Sequence, residues 1–285
     1  MRSIGRLKAL SFVIGAALAL GSAEAGALDK ARQDKTLRLA FREDAPPFSF
    51  TDEAGLPAGF MVDLCRSVAK HIGEELNIND LKVAYVLVTA ENRFDAIVNG
   101  KADLLCEPTS ETLGRREQVD FSISTFVDGA SLLVGADGPS NFAALAGKKI
   151  GVLAGTTTEE SLRNTLAGAG LVAEITPAKT HQEGLAMLDK GEIVAYFADR
   201  AILSYLASKS SDPSKLRLAD NYFSLEPYAL ALPHGDEDFR LAVDRALSHI
   251  YRSGEIAIVF AHTFGNATQP SDVLKTLYSI AALPD

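Results

Sequence analysis

Residues 148–170 read KKIGVLAGTTTEESLRNTLAGAG. The apolar run from Ile150 to Leu153 breaks at Gly155, three threonines offer helix caps, and the apolar spacing that follows is close to 3.6 before glycine closes it. Strand, turn and helix therefore come in that order. The unit then recurs: AEITPA (173–178) and HQEGLAMLDKGE (181–192), then IVAYFAD (193–199) and RAILSYLASKS (200–210). An earlier series has the same form. LRLAF (37–41) precedes the helical FMVDLCRSVAKHIGEEL (60–76), LKVAYVLV (81–88) precedes NRFDAIVNGK (92–101), closed by Gly100, and ADLLCEP (102–108) is a strand stopped by Pro108. Alternating strands and helices in two series predict an α/β fold of two lobes with parallel strands.

VDGASLLVGADGPS (127–140) runs from the first series to the second, and SLEPYALALP (224–233) runs back before the C-terminal helices of 236–265. Two crossings make a hinge. The expected bodies are residues 36–128 with 230–285 as lobe 1, and 129–229 as lobe 2. Sites in such folds lie beyond the carboxyl ends of strands, which here can face one shared cleft. Arg42, at the end of the first strand, belongs there, and the Phe48 and Phe50 pair could floor it or pack in the core.

The first 25 residues stand apart. Arg2, Arg6 and Lys8 precede the apolar ALSFVIGAALALGS (9–22), and Ala23-Glu24-Ala25 supplies small residues for cleavage. This is the pattern of a secretory signal peptide ending after Ala25, and no later apolar run is long enough to span a bilayer. The formal charge of the chain is −9, and of the exported remainder about −11. An acidic surface repels phosphate backbones and anionic lipid, so nucleic acid is not an expected partner. About 260 residues with ample apolar content suffice for two packed lobes. No cofactor motif is present. The five histidines are scattered and none pairs at i, i+4, so no metal site is expected. Cys65 and Cys106, the only cysteines, are either a bridge suited to an oxidising compartment or small buried thiols.

LRLAFREDAPPFSF (37–50), GFMVDLC (59–65), DLLCEPTSETLGRREQVDFS (103–122), GKKIGVLAGTTTEESL (147–162) and YFADRAIL (196–203), in this order and spacing, resemble the periplasmic amino-acid-binding proteins of ABC transporters, the solute-binding proteins of family 3, nearest their glutamate/aspartate branch. The resemblance covers nearly the whole exported chain. It implies the type II periplasmic-binding-protein fold and a protein, not an enzyme, that closes on an amino acid and presents it to a membrane permease, acting as a monomer in the periplasm. An α-carboxylate needs a planar cation and a hydroxyl, which the resemblance assigns to Arg115 and Ser110. It assigns a ligand contact to Thr156 at a helix N-terminus, with Thr157 a further candidate, and the ligand's ammonium group to Asp199. Taken alone, Ser110 and Asp199 could equally cap helices. Arg42, Arg93 and His181 match positions around the ligand side chain, and the arginines imply an acidic or polar ligand, glutamate or aspartate among them.

The chain departs from that branch at Glu107 and Pro108, where relatives carry glycine and serine, and at Ala90, which replaces a hydroxyl. Glu107 could pair with an arginine or receive the amino group itself. Two other functions stay open. Exported cyclohexadienyl dehydratases resemble this fold, with Glu107 a candidate general acid. A solute-sensing module of a signalling system would have the same cleft.

Overall fold

The computed structural model describes residues 25–284, so the expected leader, apart from Ala25, lies outside the described residues. In chain order the strands are β1 (Thr36–Arg42), β2 (Asp44–Ala45), β3 (Ser49–Thr51), β4 (Pro57–Ala58), β5 (Lys82–Val88), β6 (Leu104–Leu105), β7 (Val119–Asp128), β8 (Ala130–Gly135), β9 (Lys149–Leu153), β10 (Glu174–Ala178), β11 (Ala195–Asp199), β12 (Leu216–Leu218) and β13 (Glu226–Pro233). The helices are α1 (Ala27–Asp34), α2 (Phe60–Glu75), α3 (Arg93–Val98), α4 (Thr157–Gly168), α5 (His181–Asp189), α6 (Arg200–Lys209), α7 (Glu237–Ser253), α8 (Glu255–Phe264) and α9 (Asp272–Ala281).

The first body is built on a sheet of order β5-β1-β6-β13-β7, the second on β10-β9-β11-β8-β12, and β2, β3 and β4 form a small sheet of their own. Within the first body β1 runs parallel to β5 and β6; within the second β9 runs parallel to β10 and β11. The strands that come from the crossings do not follow this rule. β13 is antiparallel to β6 and β7, and β8 is antiparallel to β11 and β12, so the sheets are mixed rather than parallel throughout. A strand that enters its sheet from the side facing the other body must run away from that side, against neighbours whose carboxyl ends point toward it. The division expected between residues 229 and 230 falls inside β13, which pairs with β7 from Glu226 onward.

Burial alternates along β1 only at its start. Leu37 and Leu39 are fully buried beneath α2, in one cluster with Phe60, Leu64, Val68 and Ile72. Ala40 is buried too, on the opposite face with Leu105 and Ala231, because this sheet is covered on both sides. Each fully buried leucine, isoleucine or phenylalanine here contributes about 1.5–3 kcal/mol. Arg38, near the start of this interior strand, pairs with Asp103, donating from Nε to Oδ2 at 3.0 Å. The disulfide between Cys65 on α2 and Cys106, just past β6, ties helix to sheet. One long C-terminal helical pattern is split at Gly254, whose φ of +82° turns the chain between α7 and α8.

Candidate functional site

The carboxyl ends of β1, β6, β9 and β11 bring the expected residues to one place between the bodies. Arg42, the last residue of β1, is 3% exposed. Its Nε donates to Asp44 Oδ1 at 2.9 Å, its Nη2 lies 2.8 Å from the same oxygen, and its Nη1 donates to Glu107 Oε2 at 3.3 Å. Arg93, at the start of α3, is equally buried: its Nε lies 3.3 Å from Glu107 Oε1, and its Nη1 donates to the Ala90 carbonyl. Thr109 donates its hydroxyl to Glu107 Oε1. Glu107 is thus a carboxylate, 1% exposed, held between the guanidinium groups. Of the fates open to it, pairing with an arginine is the one seen.

Electrostatics follow from this packing. Burial lowers the Arg42 pKa, but the carboxylates of Glu107 and Asp44 outweigh it and hold the pKa above its usual value. Arg93 is pushed down to about 10, chiefly by burial, with Glu107 opposing and the cations Arg115 and Arg42 adding to the fall. His181, the first residue of α5, is 3% exposed; burial and then the Arg42 charge push it well below its ordinary value, so the ring is neutral. Its Nδ1 lies 3.0 Å from the Tyr196 hydroxyl. Gly184, one turn along α5, makes room for this, since a Cβ there would overlap the Tyr196 ring.

A second group lies toward the hinge. Arg115 opens a 3-10 turn, donates from Nη1 to the Ser110 carbonyl at 2.6 Å and sits 5.2 Å over the Phe94 ring. Burial lowers its pKa, while Glu107, Glu226, Asp199 and Glu160 act in the other direction. Ser110 pairs with Tyr228 in an isolated bridge and caps no helix; its hydroxyl donates to Glu226 Oε2. Thr157 reaches the same oxygen from the second body at 2.5 Å. Each hydroxyl has one hydrogen, so the 3.1 Å approach of Ser110 to Thr157 is left without a donor of its own. Thr156 is occupied otherwise: it accepts from Glu159 N as the cap of α4 and donates to the Leu153 carbonyl.

Asp199 stands at the N-cap position of α6 without making the capping bond. Asp128, from the end of β7, takes the Ala201 N–H instead at 3.0 Å. That leaves Asp199 Oδ1 buried without a hydrogen bond of good geometry, its neighbour being the Tyr228 hydroxyl, which makes no other such bond either. Burial, followed by the charges of Glu226 and Asp128, raises the Asp199 pKa well above the usual carboxylate range. Burial likewise raises Asp128 to about 6.

Other expected residues lie elsewhere. Phe48 is fully buried in an aromatic cluster with Phe60, Phe126, Tyr228 and Phe264, so it belongs to the core and not to a cleft floor. Phe50 meets Tyr205 of α6 across the bodies at 6.0 Å. Asp44, Asp128, Tyr228 and Glu226 were not singled out from sequence; Glu226, a charge opening the apolar run that recrosses the hinge, carried the clearest signal. A hollow of about 470 Å³ lined by Ser110, Thr157, Glu226 and Leu225 opens beside this group. A larger surface hollow, about 740 Å³, lies by α1 and the start of α7, away from these side chains. Among the described residues no cluster of His, Cys, Asp and Glu is arranged to hold a metal ion, and no helix is long and apolar enough to cross a membrane.

The sequence and the fold are similar to those of known proteins. The chain is 34% identical over 247 residues to an L-glutamate/L-aspartate-binding protein of Pseudomonas aeruginosa, covering 86% of this chain and 81% of that one. It is 30% identical over 271 residues to an L-cystine-binding protein of Escherichia coli, covering 92% and 96%. Among solved structures, the L-cysteine solute receptor of Neisseria gonorrhoeae superposes with a TM-score of 0.76 over 86% of this chain and 98% of the other, at 23% identity, a likeness of fold alone. The family model of the bacterial extracellular solute-binding proteins, family 3, matches residues 37–266, and the chain belongs to that family.

Proposed function

We propose that this protein captures an amino acid with a polar or acidic side chain between its two bodies, residues 36–128 with the chain from β13 onward against the second sheet and its helices, and delivers it to an ABC importer permease from the periplasm as a monomer. The observation that carries the reading is a pair of complementary groups on opposite bodies: the Arg115 guanidinium from the first, and from the second the buried carboxyl of Asp199, which no helix cap uses and which an ammonium group would ionise. A zwitterion satisfies both. Its carboxylate takes the guanidinium, its ammonium group takes Asp199, and contacts from both bodies favour the closed form over the open one. Ser110 and Thr157 join the bodies through Glu226 beside the carboxylate end, while Arg42, Arg93, His181 and Glu107 surround the side chain. Thr156 serves by positioning α4.

Thermal unfolding of the leaderless protein against the twenty amino acids and a set of organic acids tests this. A ligand at 100 times its dissociation constant stabilises by ~2.7 kcal/mol, a rise of roughly 5–11 °C at this size. A shift with one or a few amino acids is expected. No shift with any amino acid, or turnover of a cyclohexadienyl acid, refutes the reading.

A further inference from the structure

The side-chain end of the site contains its own anions. Arg42 and Arg93 bring two positive charges; Glu107 and Asp44 bring two negative ones, and all four residues are at most 7% exposed. His181 is neutral beside them. Glu107 bridges the guanidinium groups with one oxygen toward each, at 3.3 Å in both cases, and Thr109 fixes its rotamer by donating to Oε1. Guanidinium groups that stood free would attract a carboxylate; these already hold one. What the quartet still offers is mixed. Arg42 Nη2 and Arg93 Nε are buried N–H groups without a hydrogen-bond acceptor in good geometry, while the carboxylates of Glu107 and Asp44 retain acceptor capacity. A group that both accepts and donates without net charge matches this, and a second carboxylate does not.

We propose that Glu107 is a specificity-determining residue: as a tethered counter-anion it neutralises Arg42 and Arg93, so that the site selects an amino acid with a neutral polar side chain, an amide or a hydroxyl, over an acidic one. The inference rests on the amino-acid-binding reading above and narrows it. Selectivity arises from repulsion as much as attraction: an acidic side chain placed here meets two buried carboxylates at short range, which disfavours it by several powers of e in affinity even with the arginines present. An uncharged side chain avoids that repulsion and takes up the unpaired N–H groups.

The test is calorimetric titration of glutamine, asparagine, serine, threonine, glutamate and aspartate into the leaderless protein and into Glu107→Gln, which keeps the shape and removes the charge. The unaltered protein should bind a neutral member most tightly, and in Glu107→Gln the affinity ratio of glutamate to glutamine should rise about a hundredfold. Asp44→Asn, which removes the other carboxylate, should move the ratio in the same direction and serves if the first variant does not fold. Tight binding of glutamate or aspartate by the unaltered protein, or an unchanged ratio in the folded variants, overturns the role of Glu107 while leaving the amino-acid reading intact. Failure of every amino acid to bind, in the panel of twenty as well, overturns both.

Discussion

Replacing both Cys65 and Cys106 by alanine removes a cross-link whose effect can be worked out. The bridged residues are 41 apart in sequence and 6.1 Å apart between Cα atoms. In the chain-entropy treatment, closing a loop of this length takes about 13 cal/mol/K from the unfolded chain, or ~4 kcal/mol at 25 °C. Both sulfurs sit in the core, where alanines leave two small voids that add to the loss. For a protein of this size the melting temperature should fall by roughly 8–16 °C. The assay is calorimetric unfolding of the native, reduced and double-alanine proteins, with urea titration alongside. The urea slope should rise as well, because an uncrosslinked denatured chain is more expanded. Melting of the double variant within about 2 °C of the native protein, with an unchanged urea midpoint, would refute the reasoning. Ligand affinity should fall with stability, since Cys106 directly precedes Glu107 and holds the end of β6 that presents it.

Further outcomes follow from the other groups. Arg115→Ala should weaken amino-acid binding about ten- to hundredfold, the loss of one charge-assisted bond, while its melting temperature without ligand stays near that of the native protein; equal affinity by calorimetry counts against a carboxylate contact. Asp128 has a folded pKa raised to about 6 from 3.8, so its contribution to stability is present at low pH and lost as pH rises between those values. Relative to Asp128→Asn, the native protein should lose up to about 3 kcal/mol across that window and nothing more above it, read from urea midpoints at a series of pH values. For His181 the sign is opposite: its folded pKa is depressed, so stability falls as pH drops below the ordinary imidazole value of 6.5, and His181→Gln should flatten that limb of the profile. Gly184→Ala should cost about 1–3 kcal/mol, because the added Cβ meets the fully buried Tyr196 ring; a variant as stable as the native protein would show that the ring can move aside.

The order of strands and helices was open to reading because periodicity and caps are local: Thr156, Thr180 and Gly100 mark their turns within a few residues of the elements they close. Strand direction was not, since β13 is antiparallel to its neighbours through a crossing that starts in the other body. Residue types at the site were likewise readable, but partners were not. Glu107 meets Arg42 across 65 positions, and Glu226 meets Ser110 across 116, so no spacing rule connects them. Thr156 and Thr157 illustrate a finer limit. The cap of α4 consumes the first hydroxyl, and the next residue, turned by about 100° around the helix, is the one aimed at the other body. Asp199 shows the reverse case: its position spells a helix cap, yet Asp128, distant in sequence, does that work.

Glu226 accepts the Thr157 hydroxyl from across the bodies, and this bond owes nothing to cargo. A bond from a hydroxyl to a charged acceptor is worth about 1.5–3 kcal/mol, which biases an empty carrier toward the shut shape by roughly ten- to a hundredfold. Apparent affinity scales with the fraction of molecules already competent, so this bias sharpens sensitivity to scarce nutrient. The same bias raises the background, because a permease that recognises outline alone receives more unloaded visitors. One glutamate on the returning strand therefore sets detection threshold and contrast against each other.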